Sequence, residues 1–277
     1  MNNRLPPGLH IVATPIGNLA DLSPRAADTL KRADRILVED TRVTAKLLRH
    51  IGAKVPTTRY DDHSSEQDRT AILAQLADHA IALVSDAGTP LISDPGYKLV
   101  RAARDSGLAV HTVPGPSAAI AALTLAGLPT DRFLFLGFLP AKAKARADAI
   151  AEVATLRATL VMYESGPRLK DTLAALADQL GPREAAVVRE ISKLHEECVT
   201  GTLAELSQRY AASAPKGEIA VLVGPPNEAA AASDDELDAA LDRALAHLSP
   251  SRAAAEVAEQ LKISRKRAYA RALERSR

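Results

Sequence analysis

Four clusters of side chains in this chain could do chemistry. Glu39-Asp40-Thr41-Arg42, Asp61-Asp62-His63, Tyr163-Glu164-Ser165 and Arg189-Glu190-Ile191-Ser192-Lys193 each combine proton acceptors with a cation, a hydroxyl or an imidazole in five residues or fewer. Such sets can orient a hydroxyl, remove its proton or hold a phosphate. Glu39, Asp40, His63, Glu164, Glu190 and Lys193 are therefore candidates for the acid-base work, with Arg42, Arg168 and Arg189 as candidate phosphate contacts. Taken singly, each is better accounted for by a surface ion pair, a helix cap or an exposed loop histidine. Their position after apolar runs gives them weight together.

Those runs define the frame. Leu9–Ala13, Arg35–Val38, Ala80–Leu83 and Leu108–Val113 are short and rich in aliphatic residues. They end in Thr14-Pro15-Ile16-Gly17-Asn18, Glu39-Asp40-Thr41-Arg42, Ser85–Gly96 and Pro114-Gly115-Pro116-Ser117. Helical patterns open near Tyr97 and run from Ala118 to Ala126, stopping at Gly127 with Pro129 beyond. Strands alternating with helices predict a parallel sheet with crossover helices, which puts all four loops on one rim, where α/β sheets bind ligands. Ser85–Gly96 is the most telling loop. Its two Gly, two Pro and small polar residues leave backbone groups open to a ligand, although a tight connection could use the same residues.

The second half continues with strands at Phe133–Gly137, Thr159–Tyr163, Ala185–Val188, Cys198–Thr200 and Glu218–Val223, and helices at Lys142–Leu156, up to Leu180, and at Thr202–Tyr210. The spacing predicts an α/β fold of two lobes, with the boundary near residue 115. Pro225-Pro226-Asn227 and the Ala-rich stretch after it read as a linker to three short helices, Asp234–Leu248, Arg252–Leu261 and Arg265 onward. A tight turn at Lys262–Ser264 makes the last two similar to a helix-turn-helix. The final helix carries Arg265, Lys266, Arg267, Arg271, Arg275 and Arg277 against the single acid Glu274. It could be a solvated face or a phosphate grip. The expected domains are 8–226 and 232–277.

Several classes are unsupported. There is no G-x-G-x-x-G after the first strand and no P-loop motif. One cysteine, Cys198, allows neither an internal disulfide nor a cysteine-rich zinc site, and the seven histidines show no H-E-x-x-H spacing, so no metal is expected. The lone cysteine, the lack of a basic-then-apolar start and the shortness of the longest apolar stretch, Ala118–Leu128, fit a soluble cytoplasmic protein without membrane contact. A net charge of +1 and 3% aromatic content without Trp argue against nucleic acid covering most of the surface or several bases stacking on an aromatic sheet.

Taken together, Pro15–Leu19 with Asp21, Glu39–Arg42, Ser85–Gly96, Pro114–Ala118, Gly137–Pro140, Tyr163–Ser165, Arg189-Glu190 and Lys216–Glu218 closely resemble the small-subunit ribosomal RNA 2′-O-methyltransferase branch of the tetrapyrrole methylase-like (class III methyltransferase) superfamily. The resemblance spans about residues 8–226 in order. It implies a two-lobed, usually dimeric enzyme that holds S-adenosylmethionine between the lobes and methylates a cytidine 2′-hydroxyl in the decoding region of 16S ribosomal RNA, free or within the small subunit. Carried over residue by residue, the cofactor contacts fall at Pro15, Ser85, Asp86, Ala87, Gly88, Leu91, Ile92, Ser93, Ser117, Ala118, Tyr163 and Ala220. RNA contacts fall to Arg42, Arg168 and Arg189 and, in the tail, to Arg265, Lys266, Arg267 and Arg271. Two motifs depart from the family. Gly166-Pro167-Arg168 lacks a histidine common there, and Asp61-Asp62-His63-Ser64 follows Tyr60 in place of His-Glu-His-Asn. A small-molecule tetrapyrrole methylase and a non-catalytic ribosome assembly factor remain as alternatives.

Overall fold

A computed structural model describes residues 4–61, 63–226, 234–261 and 264–276. The chain forms two compact units that part between Gly224 and Pro225.

The first unit contains two five-stranded sheets. Sheet one has the order β3-β2-β4-β1-β5, from β1 (Gly8–Val12), β2 (Arg35–Val38), β3 (Thr57–Arg59), β4 (Ala80–Leu83) and β5 (Val110–Val113). Every pairing in it is parallel, with Leu9 opposite both Ile81 and Val110. All its strands therefore end on one rim. The connecting helices are α1 (Pro24–Arg32), α2 (Thr41–Ile51), α3 (Glu66–Leu76) and α4 (Tyr97–Asp105). Their limits follow from local chemistry. Ser23 caps α1 ahead of Pro24, Asp40 caps α2, and Gly52 ends α2 in the left-handed region at φ 71°. Ser65 and Asp68 form a reciprocal capping box on α3. Both faces of the sheet are covered. Val12, Leu30, Ile36, Val38 and Leu48 pack on one side, and Leu9, Leu37, Ile81, Leu83 and Leu99 on the other.

Sheet two has the order β6-β7-β10-β8-β9, built from β6 (Phe133–Phe138), β7 (Thr159–Ser165), β8 (Glu184–Arg189), β9 (Glu197–Thr202) and β10 (Glu218–Val223). Only β6 and β7 run parallel. β10 is antiparallel to both β7 and β8, and β8 to β9. The start of β10 thus lies beside the end of β7, with Ala220 opposite Tyr163. Helices α6 (Ala143–Val153), α7 (Gly166–Leu180) and α8 (Leu203–Arg209) cover one face through Leu160, Met162, Leu173 and Val221. α5 (Ala118–Ala126) covers the other, where Ala122 and Leu123 meet Val161, Val188 and Leu222. Because β5 ends at Val113 and α5 packs on sheet two, the chain crosses between the lobes over Pro114–Ser117.

The second unit is α9 (Asp234–Leu245), α10 (Pro250–Gln260) and α11 (Arg265–Arg275) around Leu237, Leu241, Ala254, Val257, Ala268 and Ala272. The Ala-rich linker after Pro226 and part of the turn before Ser264 lie outside the described residues. No helix among the described residues is long and apolar enough to cross a membrane.

Candidate functional site

A cavity of about 330 Å³ opens between the two sheets of the first unit. From the first lobe it takes Ile16 after β1, Ala87–Thr89 and Ile92–Asp94 after β4, and Ser117 and Ala118 at the start of α5. From the second it takes Phe138, Tyr163–Ser165, Ile191 and Gly217–Ala220. The strand polarity explains this roster. Parallel strands bring β4 to the cavity by its carboxyl end, whereas antiparallel β10 arrives by its amino end.

The lining is small where a ligand needs backbone and tightly held elsewhere. Thr14 and Gly88 exchange backbone hydrogen bonds at 2.8 and 3.1 Å, tying the β1 and β4 loops together, and Gly88 sits at φ 81°, where a side chain is strained. Ser117 caps α5 without a side-chain hydrogen bond, and it lines the cavity with Ala118, so the start of this uncharged helix is available to an anion there. Tyr163 is fixed by edge contacts with Phe135 and Phe138, at centroid distances of 4.9 and 5.7 Å, and its hydroxyl accepts the Ala119 N–H at 3.1 Å. Burial raises the Tyr163 pKa, so it stays a neutral phenol. Among the described residues, the non-glycine positions with positive φ are Leu91, Ser93, Glu190 and Ser192. All four fall in the two loops that flank the cavity, which is where strained backbone gathers at ligand sites.

Of the twelve cofactor candidates, Ala87, Gly88, Ile92, Ser93, Ser117, Ala118, Tyr163 and Ala220 line the cavity. Pro15, Ser85, Asp86 and Leu91 do not. Ser85 is buried behind its loop, with Oγ within 3.2 Å of the Ala87 carbonyl, and Asp86 accepts the Asp40 N–H at 3.1 Å. Leu91 packs into the core of the first lobe.

Of the six acid-base candidates Glu164 lines the cavity, and Glu39, Asp40, His63, Glu190 and Lys193 do not. Asp40 caps α2 and is gripped by Arg42, whose hydrogen bonds hold its carboxyl down to about 2. That pairing also occupies Arg42. Glu39 lies near Asp94 and raises its pKa. His63 is an exposed loop residue whose N–H donates to Asp61. Glu190 and Lys193 sit at the cavity mouth, with Lys193 Nζ 3.0 Å from Glu190 and 2.9 Å from Glu218. Hydrogen bonds from Lys193 and from the Glu218 amide lower the Glu190 pKa. Burial works against the Lys193 charge, but its bonds to Glu218 and Glu190 prevail and raise its pKa. Lys193 is therefore a held cation and a poor proton acceptor.

The arginines are placed differently from one another. Arg168 folds back onto the Leu139 carbonyl and Glu164, and Arg189 pairs with Glu197. In the tail, Arg265 and Lys266 are exposed, but Arg267 pairs with Asp234 and Arg271 with Asp238. The reason is periodicity. Positions 267, 271 and 275 face 234, 238 and 242 of α9, which carry acids at the same four-residue spacing.

The residue types and spacings assign no role to Asp94, Phe138, Ile191 and Gly217–Ile219, which also line the cavity. Asp94 stood in the Ser85–Gly96 loop throughout; only its burial singles it out. Desolvation pushes its carboxyl up to about 6, against a hydrogen bond from Ser85 and with the charges of Glu39 and Asp86 adding to the shift.

Two parallel-rimmed and mixed sheets enclosing one cavity define a class. Tetrapyrrole (Corrin/Porphyrin) Methylases match over residues 8–207, and the RsmI C-terminal HTH domain matches over 231–276. A crystal structure of uroporphyrin-III C-methyltransferase from Thermus thermophilus complexed with S-adenosylhomocysteine has a TM-score of 0.54 and 21% identity, covering 78% of this chain and 96% of that one. The ribosomal RNA small subunit methyltransferase I of Erythrobacter litoralis is 55% identical over 98% of this chain and 96% of its own length. That of Mesorhizobium japonicum is 46% identical over 98% and 92%. The chain belongs to the ribosomal RNA small subunit methyltransferase I family.

Proposed function

We propose that this protein transfers a methyl group from S-adenosylmethionine to the ribose 2′-hydroxyl of a cytidine in the decoding region of 16S ribosomal RNA. The observation that carries the reading is the cavity between the lobes. Its Gly88, Ala118 and Ala220 leave room for a ligand against backbone, the start of α5 at Ser117 and Ala118 suits a carboxylate, and its apolar walls at Ile16, Ile92, Phe138 and Ile219 suit an adenine. The residues present therefore fit the methyl donor, which supplies an electrophilic methyl on a sulfonium.

The chain's own work is to bind, align and dehydrate. A displacement at a methyl carbon needs its reacting atoms held in line more than it needs covalent help, and alignment can be worth roughly 7 to 11 kcal/mol. The strained loops at Leu91–Ser93 and Glu190–Ser192 set the two sides of that alignment. The Glu190–Lys193–Glu218 cluster at the mouth meets the ribose or a phosphate in this reading, and Glu39 acts on Asp94. The tail adds phosphate contacts through Arg265 and Lys266, the two tail candidates that, among the described residues, pair with no acid of α9. The protein acts in the cytoplasm as a homodimer. α5 supports self-association, since it carries no charge yet leaves Ile120 and Leu125 exposed.

Purified protein with labelled methyl donor should label small ribosomal subunits or 16S RNA at a 2′-oxygen. Label appearing only on a corrin precursor would favour the small-molecule methylase, and no transfer to any of them would favour an assembly factor.

A further inference from the structure

The cavity is electrostatically one-sided. Among the described residues three carboxylates, Asp94, Glu164 and Glu218, line it, and no Lys, Arg or His does. Two of the three are already balanced. Glu164 accepts the Ser165 N–H at 2.8 Å and the Thr172 hydroxyl at 2.6 Å, and pairs with Arg168 at 3.2 Å. Glu218 is paired with Lys193. Asp94 has no such cation. The groups that act on it are the Ser85 hydroxyl and the like charges of Glu39, at the end of β2, and Asp86, after β4. Tyr163, facing from β7, is a neutral phenol whose own pKa Asp94 helps to raise. Arg42 acts on Asp86 and is held by Asp40.

Resting on the methyl-donor reading above, we infer that Asp94 is the residue by which the site tells the cationic donor from its neutral product. S-Adenosylmethionine carries a sulfonium, an ammonium and a carboxylate, a net charge of about +1, whereas S-adenosylhomocysteine has lost the sulfonium charge and is neutral overall. An ionised, half-buried carboxylate without a counter-ion is costly, and a cationic ligand relieves that cost where a neutral one does not. The raised pKa of Asp94 is the same penalty seen without ligand. The consequence is release: when the methyl leaves, so does the charge that Asp94 holds, and the product is held less firmly than the donor that replaces it.

Linkage fixes the pH dependence. A cation that favours ionised Asp94 lowers its pKa, and each unit of lowering corresponds to about tenfold in affinity between ionised and protonated forms. Donor preference is then present above about 6 and fades as Asp94 protonates below it. Calorimetry on the full chain with S-adenosylmethionine, S-adenosylhomocysteine and sinefungin, which carries an ammonium in place of the sulfonium, tests this without turnover. At about pH 7 both cations should bind about tenfold more tightly than the neutral product, and at about pH 5 the gap should close. Asp94→Asn should show the closed gap at both values, and the wild-type pH series decides the matter if that variant does not fold. An equal gap at both pH values, or a wild-type gap in Asp94→Asn, overturns the role of Asp94. Failure of all three ligands to bind overturns the methyl-donor reading itself.

Discussion

Arg271 and Asp238 are joined by two parallel hydrogen bonds, Nε to Oδ1 at 2.7 Å and Nη2 to Oδ2 at 2.9 Å, so that the centre of the basic helix is tied to the acidic helix α9. Arg275 adds a contact to Asp238 and another to Asp242, and Arg267 reaches Asp234. A helix read from sequence as one positive face is thus two faces. One side zips α11 to α9, and the other presents Arg265, Lys266, Tyr269 and Leu273 to solvent.

The division separates two kinds of variant. Lys266→Ala and Arg265→Ala should weaken RNA or subunit binding and lower its salt slope by about one each, with melting unchanged. Arg271→Ala should instead speed amide exchange in α11, because the fork-to-carboxylate geometry is lost. Binding assays across salt concentrations and exchange mass spectrometry on the full chain check both. The assignment fails if Arg271→Ala leaves α11 exchange untouched and mimics Lys266→Ala in the salt series.

Much of the frame was legible because period and punctuation agreed. Arg35–Val38, Ala80–Leu83, Ala118–Ala126 and Glu218–Val223 have the bounds that their apolar runs and flanking Gly, Pro and caps dictate. β3 was not legible: Thr57-Thr58-Arg59 is short and polar, and it becomes a strand because Val38 and its neighbours offer an edge. Nor was the reversal of β10, since an aliphatic run says nothing of direction, and that reversal is what brings Gly217–Ala220 to the cavity. Gly115 shows a similar limit. A Cβ there would lie 2.9 Å from Ala13 Cβ, so this glycine serves packing of the crossing segment, while Gly88 faces the cavity. Loop composition located the site; the paired or unpaired state of each charge needed the fold.

Gly17 and Lys193 illustrate contact between the lobes that no local pattern announces. A Cβ on Gly17 would lie 2.5 Å from Lys193 Cγ, and φ is 154°, so the aliphatic stem of Lys193 lies directly over this residue. Asp21 and the Ser192 hydroxyl are also hydrogen-bonded across the lobes. Gly17→Ala must push Lys193 away from Glu190 and Glu218. It should therefore reproduce the turnover defect of Lys193→Ala, about 10²-fold or more if the cluster orients the ribose, with little further loss in the double variant. Additive losses in single-turnover methyl transfer would show that the two act separately.

His10 and His111 face one another across the β1–β5 pair, their rings stacked at 4.6 Å with an interplanar angle of 26°. His10 is buried, and its Nε2 lies 2.9 Å from the Pro6 carbonyl. Burial lowers its pKa, the Pro6 bond opposes this, and the charge of His111 lowers it further. The folded state therefore holds a neutral imidazole where the unfolded chain, with a value near 6.5, takes a proton. This contribution to stability is complete above about 6.5 and is lost as pH falls toward the lower folded value. Asp94 has the opposite sign in the same window. Its folded pKa of about 6 exceeds the unfolded 3.8, so its protonation favours the fold as pH falls. The two partly cancel in the wild type, and only a difference isolates the histidine. Denaturant unfolding of the wild type and His10→Phe between about pH 7 and about pH 5 should give the variant the smaller loss on acidification, because it has no imidazole to protonate. Parallel stability curves for the two proteins would mean that His10 takes its proton in the fold as readily as in the unfolded chain.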